Sequence, residues 1–568
     1  VTAFAAAVRD WMFFDLKEHP MRTLGISLTL IALILFGPFS CEKVSAETKP
    51  VLIVSVASVE GLLSDVNYLA TATGNQQYGS IASAVAAGYI QGLDETRPIA
   101  IVVQSDGDEV KPFGMLPIKD LKQFLAGLAQ QLGEPQDAGD GILELAGPTA
   151  MFVKEQDGWA FVATSTSDLK DLPGDPTSML KGIDKDYDVG VRGYIQNIPQ
   201  SYRDMALEQI KEGVQSQMDM LPEEGENLEL QESVIKNQIR QWEAIFNEMD
   251  YIQLGWNTDQ SNKKVAIDTR VVAIPGTRSA RQMSGIQDTK TNFGGFYQED
   301  AAVSMRTAGR IMQEDIDQAL AMLPPLRTKL MTEIDDTDDL PNDSTRTVAK
   351  HMADAIFDML EATLRDGKTD GAFTMSFESG SPQVIGGMHV VDGGKLEESL
   401  KELGQMAGNN PEFPKMEFNV DQHAGVRFHK VTMPVEEEEA DARAVFGDSI
   451  ELTIGVSQES IYFGMGDDVV AKVRKSIDAS QKDQAVTPAE MYAALGPILS
   501  FAAKVSDEEV LNSMADELKN VGDQDRFVMT VDPIDNGADY HFEVREAILK
   551  AIGAGIRAKQ AEAVGAGG

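Results

Sequence analysis

Ala372-Phe373-Thr374-Met375-Ser376-Phe377 alternates large apolar side chains with small or polar ones, and Ser379-Gly380-Ser381-Pro382 follows as a turn into the next apolar stretch. A strand sends successive side chains to opposite faces, so this pattern predicts a strand with one buried face, paired antiparallel. The same pattern recurs on both sides. Trp159, Phe161 and Ala163 share one side of a strand that pairs back through Asp157-Gly158 onto Met151-Phe152-Val153. Phe527, Met529 and Val531 run to Asn536-Gly537, after which Tyr540, Phe542 and Val544 return. Antiparallel hairpins therefore dominate.

Helices sit between the hairpins. Met205, Ile210, Val214 and Met218 form one apolar stripe, Leu221-Pro222-Glu223-Glu224-Gly225 breaks it, and Val234, Ile235, Ile239, Trp242, Ile245 and Phe246 form a second. The spacing predicts a helical hairpin packed on a sheet, its aromatics and methionines serving as core. The fold class expected is α+β, mainly antiparallel sheets with packed helices.

One order of elements occurs twice. Strand Val51 to Val56, helices, hairpin Ile99 to Ile118, helix Lys119 to Leu132, strand Ile142 to Leu145, hairpin Met151 to Ala163, a helix from Asp168, strand Val189 to Ile195, the helical hairpin and hairpin Tyr251 to Ile274 make the first round. The second starts with strand Ala301 to Met305 and helices. Hairpin Phe373 to Val391, helix Leu396 to Met406, strands near Phe418 and Val426 to Met433, hairpin Leu452 to Met465 and a helix from Asp467 follow. Helices near 488 to 520 and hairpin Phe527 to Val544 close it. Gly114-Met115 parallels Gly387-Met388, and Trp159-Ala160-Phe161 parallels Ile461-Tyr462-Phe463. An internal duplication is expected, with copies at 50–285 and 299–558 and a flexible tail at 559–568.

Met21-Arg22-Thr23, the uncharged apolar run Leu24 to Phe36 and the tail ending Val44-Ser45-Ala46 fit a signal peptide at 21–46, cleaved after Ala46. Thirteen apolar residues fall short of the roughly 20 that span a bilayer, so no transmembrane span is expected in the mature chain. Residues 1–20 precede the better start at Met21 and are expected to be a mis-called upstream extension. Cys41 offers a competing lipid-attachment reading, weakened by its context Pro38-Phe39-Ser40. The expected destination is periplasmic or extracellular.

Residues 1–46 carry four basic and four acidic side chains, so the remainder keeps 45 basic and 86 acidic residues and the full net charge of −41. That field repels phosphate backbones, which excludes nucleic acid as a partner, and it repels anionic membrane surfaces. Solubility is the simplest reading of so much acid. Cys41 is the only cysteine, so the mature chain has no disulfide, thiolate ligand or cysteine nucleophile.

No Gly-x-Ser-x-Gly elbow, His-Glu-x-x-His helix or phosphate-binding Gly-x-x-x-x-Gly-Lys loop occurs, and no catalytic residue or cofactor is assigned. Gly553-Ala554-Gly555 lies in the last helical segment, with no room after it for a dinucleotide-binding unit. Asp184, Asp186 and Asp188 open like a calcium loop, but Val189 and Ile195 stand where glycine and glutamate belong, so a plain loop is expected. The acidic stretches Asp335 to Asp343 and Glu436 to Glu439 are expected to be solvated loops. His389, His423 and His429 are the weak metal candidates; ordinary hydrogen bonding is the expectation for each.

The precursor layout and the repeated strand–helix–hairpin order resemble large exported bacterial proteins of unknown function. That resemblance carries no catalytic residue across. The leading expectation is a non-enzymatic binding or scaffold role in the cell envelope, toward an unknown protein or an apolar ligand. The alternatives are a carrier holding an apolar ligand between sheet and helices, and a carboxylate- or metal-dependent hydrolase.

Overall fold

The computed structural model describes residues 48–146, 150–219, 228–337, 343–378, 381–407, 414–435, 443, 445–506 and 508–565. The expected leader with Cys41 and Ala46, the helix breaker Leu221 to Gly225 and the run Glu436 to Glu439 lie outside the described residues. So does most of Asp335 to Asp343, although Asp335 and Asp336 end a helix.

Strand β1 (Lys49–Val56) leads to α1 (Val59–Ala72) and α2 (Gln76–Ala87), then β2 (Ile99–Ser105), β3 (Val110–Pro117) and α3 (Leu121–Leu132). Four short strands follow, β4 (Gln136–Gly139), β5 (Ile142–Ala146), β6 (Ala150–Gln156) and β7 (Trp159–Ala163). After the one-turn α4 (Ile183–Asp186) and β8 (Val189–Tyr194) come α5 (Gln200–Asp219), α6 (Leu228–Glu248), β9 (Met249–Asp259), β10 (Lys264–Ala273), α7 (Arg278–Ser284) and β11 (Lys290–Thr291).

The rest of the chain starts with β12 (Val303–Arg310), α8 (Gln313–Asp336), α9 (Asp343–Asp366), β13 (Lys368–Glu378), β14 (Ser381–His389) and α10 (Gly393–Ala407). Strands β15 (Lys415–His423), β16 (Val426–Pro434), β17 (Ser449–Val456) and β18 (Ser460–Met465) precede α11 (Val469–Ala479), β19 (Gln484–Ala485) and β20 (Ala489–Ala494). Helices α12 (Leu495–Val505) and α13 (Glu509–Glu517), hairpin β21 (Arg526–Ile534) and β22 (Gly537–Arg545), and α14 (Glu546–Gly565) complete it.

Local chemistry explains many boundaries. Ser58, Asp120 and Thr277 accept the backbone N–H three residues on and so cap α1, α3 and α7. The β6–β7 hairpin turns on Asp157 and Gly158, both at positive φ (52° and 74°), as a tight two-residue hairpin requires.

Twenty strands form one antiparallel sheet. Its spatial order is β4-β5-β6-β7-β3-β2-β1-β8-β9-β10, then β22-β21-β20-β12-β13-β14-β18-β17-β16-β15. From either edge inward the order is the same: four strands in sequence, then the third, second and first major strands, then the last three. The halves meet where β10 and β22 pair over nine residues, Lys264–Val272 against Gly537–Arg545. Helices fall in matching intervals, with α1 and α2 against α8 and α9, α3 against α10, and α5 and α6 against α12 and α13.

The large helices share one face of the sheet. There α1 and α3 cover Leu116, Val153, Ala160 and Val162, α9 and α10 cover Ile454 and Ile461, and α12, α13 and α14 cover Phe373, Met375, Met491, Phe527 and Val544. Among the described residues, the opposite face is covered most heavily at its flanks. On one flank Leu169, Leu180 and Ile183 seal Phe113, Met115 and Phe161; on the other, Phe293, Phe296, Val469 and Val473 seal Ala372, Ile385 and Phe428.

Several expectations are corrected. The helix expected from Asp168 is two 3-10 turns, Thr166–Leu169 and Pro176–Leu180, because Pro173, Gly174 and Pro176 interrupt it. The helices expected from about 488 begin after strand β20, which pairs with β12 and β21. The tail expected from 559 is helical to Gly565. The match of Gly114-Met115 to Gly387-Met388 fails, since Met115 is 1% exposed and Met388 43%.

Candidate functional site

The three candidate histidines each meet a different carboxylate. His389 contacts Asp366 Oδ2 (3.1 Å) and the Glu459 carbonyl (3.1 Å), and His423 Nε2 contacts Asp478 Oδ1 (2.6 Å). The Asn419 N–H donates to His429 Nδ1 (3.2 Å), which puts the ring proton on Nε2, 3.5 Å from Glu397 Oε1. Burial lowers the His429 pKa, so the ring is neutral. Strands β14 and β16 are three steps apart through β18 and β17, about 14 Å at the usual strand spacing, and neighbouring residues Phe428 and His429 send His429 to the face away from His423. No group of three or more His, Cys, Asp or Glu able to hold a metal ion occurs among the described residues. Asp184 and Asp186 lie in α4, and Asp188 accepts the Thr258 N–H (2.7 Å), joining β8 to β9.

Two other places concentrate chemistry. The first is the thinly covered middle of that opposite face, where the halves join. One row of directly paired residues runs Ser55, Gly190, Gly255, Asp268, His541, Thr530, Glu490 and Arg306; the next runs Ile53, Arg192, Gln253, Arg270, Asp539 and Asp532. The His541 Nδ1–H donates to Asp268 (2.6 Å), and Nε2 lies 3.8 Å from Glu543. Asp268 holds the imidazole pKa above its usual value, since its hydrogen bond outweighs partial burial. Arg270 donates twice to Asp539 (2.7 Å each), Lys264 and Arg545 both reach Glu543 (2.8 and 3.0 Å), and Arg192 donates to the buried Gln253 (2.7 Å). Gln253 in turn donates to the Tyr187 hydroxyl (3.2 Å). The Tyr187 ring lies over Gly255, where a Cβ would stand 2.1 Å from ring atoms, so only glycine fits. Most charges in this seam pair with one another, and Asp532 accepts from the Thr530 hydroxyl (3.4 Å).

The second place is apolar. A cavity of about 220 Å³ lies between the sheet and α12, α13 and α14, lined by Leu495, Leu499, Met514, Phe527, Val544, Ile548, Ala551 and Ile552. Beside Phe527 and Val544, on the same face, a row of side chains, half-buried apart from the exposed Ile267, crosses seven strands: Trp256, Ile267, Phe542, Met529, Met491, Met305 and Phe373. Methionine packs adaptably against varied shapes. A recess of about 260 Å³ among Pro382, Gln383, Phe446, Glu451 and Met465 borders the loop outside the described residues.

Neither place was found from the sequence. The seam left a signal, because Lys264, Asp268 and Arg270 alternate along one strand and Asp539, His541, Glu543 and Arg545 along another. Their pairing across 273 residues did not show. The cavity is a packing outcome of three helices and two strands and leaves no local pattern. No protein family, curated protein or solved structure matches the chain.

Proposed function

We propose that this chain is an exported, non-enzymatic binding protein that holds a small apolar ligand between its sheet and helices α12 to α14. The observation that carries the reading is the cavity of about 220 Å³ with eight apolar lining residues. An apolar cavity of about 150 Å³ already admits benzene, so this one suits a ligand of roughly one to two rings or the end of an alkyl chain. The adjoining methionine-rich row gives a larger ligand a surface to extend over. Export rests on the leader at 21–46 and on the cysteine-free acidic composition.

The competing reading is a hydrolase using Asp268, His541 and Glu543. Against it stands the pairing of Glu543 with Lys264 and Arg545 and of Asp539 with Arg270, which commits the carboxylates beside the Asp268–His541 pair to cations. We also infer an ancient duplication. The identical strand order inward from both edges supports it, and the failed Gly-Met correspondence shows that the support lies in topology rather than in sequence identity.

The ligand reading is tested by titrating a naphthyl-type fluorescent probe into the whole protein and into Ala551→Leu. Ala551 is fully buried and lines the cavity, so leucine there fills the space. Wild type is expected to bind at micromolar concentrations, with at least tenfold weaker binding in the variant and an equal or higher melting temperature. Equal binding by both proteins, or a lower melting temperature from overpacking, overturns the reading.

A further inference from the structure

Helix α2 is built inside out. Its one buried residue is Gly79, seated against Asn67 and Ala70 of α1, and Asn67 Nδ2 donates to Ser83 Oγ (3.1 Å) on that inner side. Its large apolar residues point outward: Tyr78, Ile81 and Val85 are 60%, 57% and 58% exposed, and Tyr89 just beyond is 41% exposed. An ordinary surface helix does the reverse. Helix α9, in the matching interval of the other half, buries Met359 and packs Met352 and Ile356 toward the core.

The surroundings are equally unusual in charge. From Val66 to Leu93 no Asp, Glu, Lys or Arg occurs, in a chain of net charge −41. Two copies repel one another over most of their surface, and this uncharged window is where they approach at least electrostatic cost. The stripe is also self-complementary. Read in either direction it runs aromatic, aliphatic, aliphatic, aromatic, so an antiparallel crossing centred near Ala84 sets Tyr78 against Tyr89 and Ile81 against Val85. A two-fold contact demands that self-complementarity. A membrane surface fits less well, because interfacial helices carry Lys or Arg on the polar face and α2 has none.

We propose that α2 is a homodimer contact in which the Tyr78–Ile81–Val85–Tyr89 stripes of two copies pack antiparallel about a two-fold axis. Four half-exposed side chains per copy, fully covered, bury on the order of 800 Å² in total, below the roughly 1,000 Å² of a stable interface, so the dimer is weak and concentration-dependent. Salt strengthens it: the screening length shortens from about 8 Å at 0.15 M to about 3 Å at 1 M, which removes repulsion between the acidic bodies while the apolar contact stays.

Sedimentation velocity of the whole protein over a hundredfold concentration range tests this. The expected result is a shift from monomer to dimer that moves to lower concentration when salt rises from 0.15 to 0.5 M. Val85→Glu is expected to remain monomeric throughout with an unchanged melting temperature, since Val85 faces solvent in the monomer. A monomer at all concentrations, or a dimer unaffected by Val85→Glu, overturns the proposal. So does Val85-dependent flotation with zwitterionic vesicles by a protein that stays monomeric, which would make the membrane the occupant.

Discussion

Replacing Glu397 by glutamine isolates the contact that pins α10 to the outer strands of the second half. The carboxylate is 4% exposed, accepts Arg427 Nε at both oxygens (2.9 Å each) and Lys401 Nζ (2.6 Å), and faces His429 Nε2. Hydrogen bonding from Arg427, with that from Lys401, overcomes the opposing effect of burial and holds the carboxyl down to about 2. Against an ordinary value of 4.5, that depression corresponds to about 3 kcal/mol of native-state stability. Arg427 and Lys401 keep 42% and 38% exposure, so water screens the interaction and also rescues both cations when the carboxylate is gone. The expected cost of Glu397→Gln at pH 7 is therefore about 2 kcal/mol, below the full penalty for splitting a buried pair. The sign follows from the depressed native value. The stabilisation is complete above pH 4.5, declines as pH falls toward 2, and is absent below. Urea unfolding of both proteins at pH 7, 5, 3.5 and 2.5, followed by tryptophan fluorescence, gives the difference in stability directly. That difference should shrink monotonically as pH falls. A difference under about 0.5 kcal/mol at pH 7, or one that persists undiminished at pH 2.5, would refute the assignment of this cluster.

Three further outcomes are expected. His541→Gln should destabilise most in mildly acidic buffer and least near pH 9: the raised imidazole value makes its contribution complete below pH 6.5 and lost as pH rises through the native value, which melting curves at pH 5.5 and 9 will check. Gly255→Ala should cost about 1–3 kcal/mol because its methyl meets the Tyr187 ring, and Tyr187→Ala in the same chain should recover most of that cost in denaturant titrations. N-terminal sequencing of the exported protein should begin at Glu47 with no lipid increment; a start at Cys41 carrying a diacylglycerol mass would reverse the expectation.

The hairpins were legible because one-sided burial imposes a period of two, as Phe373, Met375 and Phe377 and their partners in β12 and β14 illustrate. Strand β20 was not. Its residues Ala489-Glu490-Met491-Tyr492-Ala493-Ala494 have a helix-forming composition and run without a break into α12, and only pairing with β12 and β21 makes them extended. Equivalence at the residue level also escaped. A strand register displaced by one exchanges the faces, so the two Gly-Met pairs look alike in sequence and point in opposite directions. Pairing with neighbours instead sets Ala100, Met115 and Phe161 beside Ala372, Gly387 and Tyr462, the first trio on the face sealed by the segment after β7 and the second on the face sealed by Phe293, Phe296 and α11. In the second trio the missing Met side chain is replaced by Phe293, whose ring stands 2.7 Å from where a Cβ on Gly387 would lie. Such compensation between distant segments has no signature in a single sequence.

The two halves share strand order and differ in what covers it, and that contrast bears on where binding occurs. Helices α5 and α6 have 20 and 21 residues, whereas α12 and α13 in the matching interval have 11 and 9. At 1.5 Å per residue the longer pair spans about 30 Å and the shorter pair about half that. The shorter pair cannot span its side of the sheet alone, and the twenty-residue α14 packs beside it to complete the cover. Three helix ends and faces then converge over β21 and β22, and the 220 Å³ cavity lies beneath that junction. Shortening a covering helix creates space without disturbing the strand ladder, because the ladder's hydrogen bonds are satisfied within the sheet. On the ligand reading proposed above, that difference in cover is what places the site in the second half of the chain.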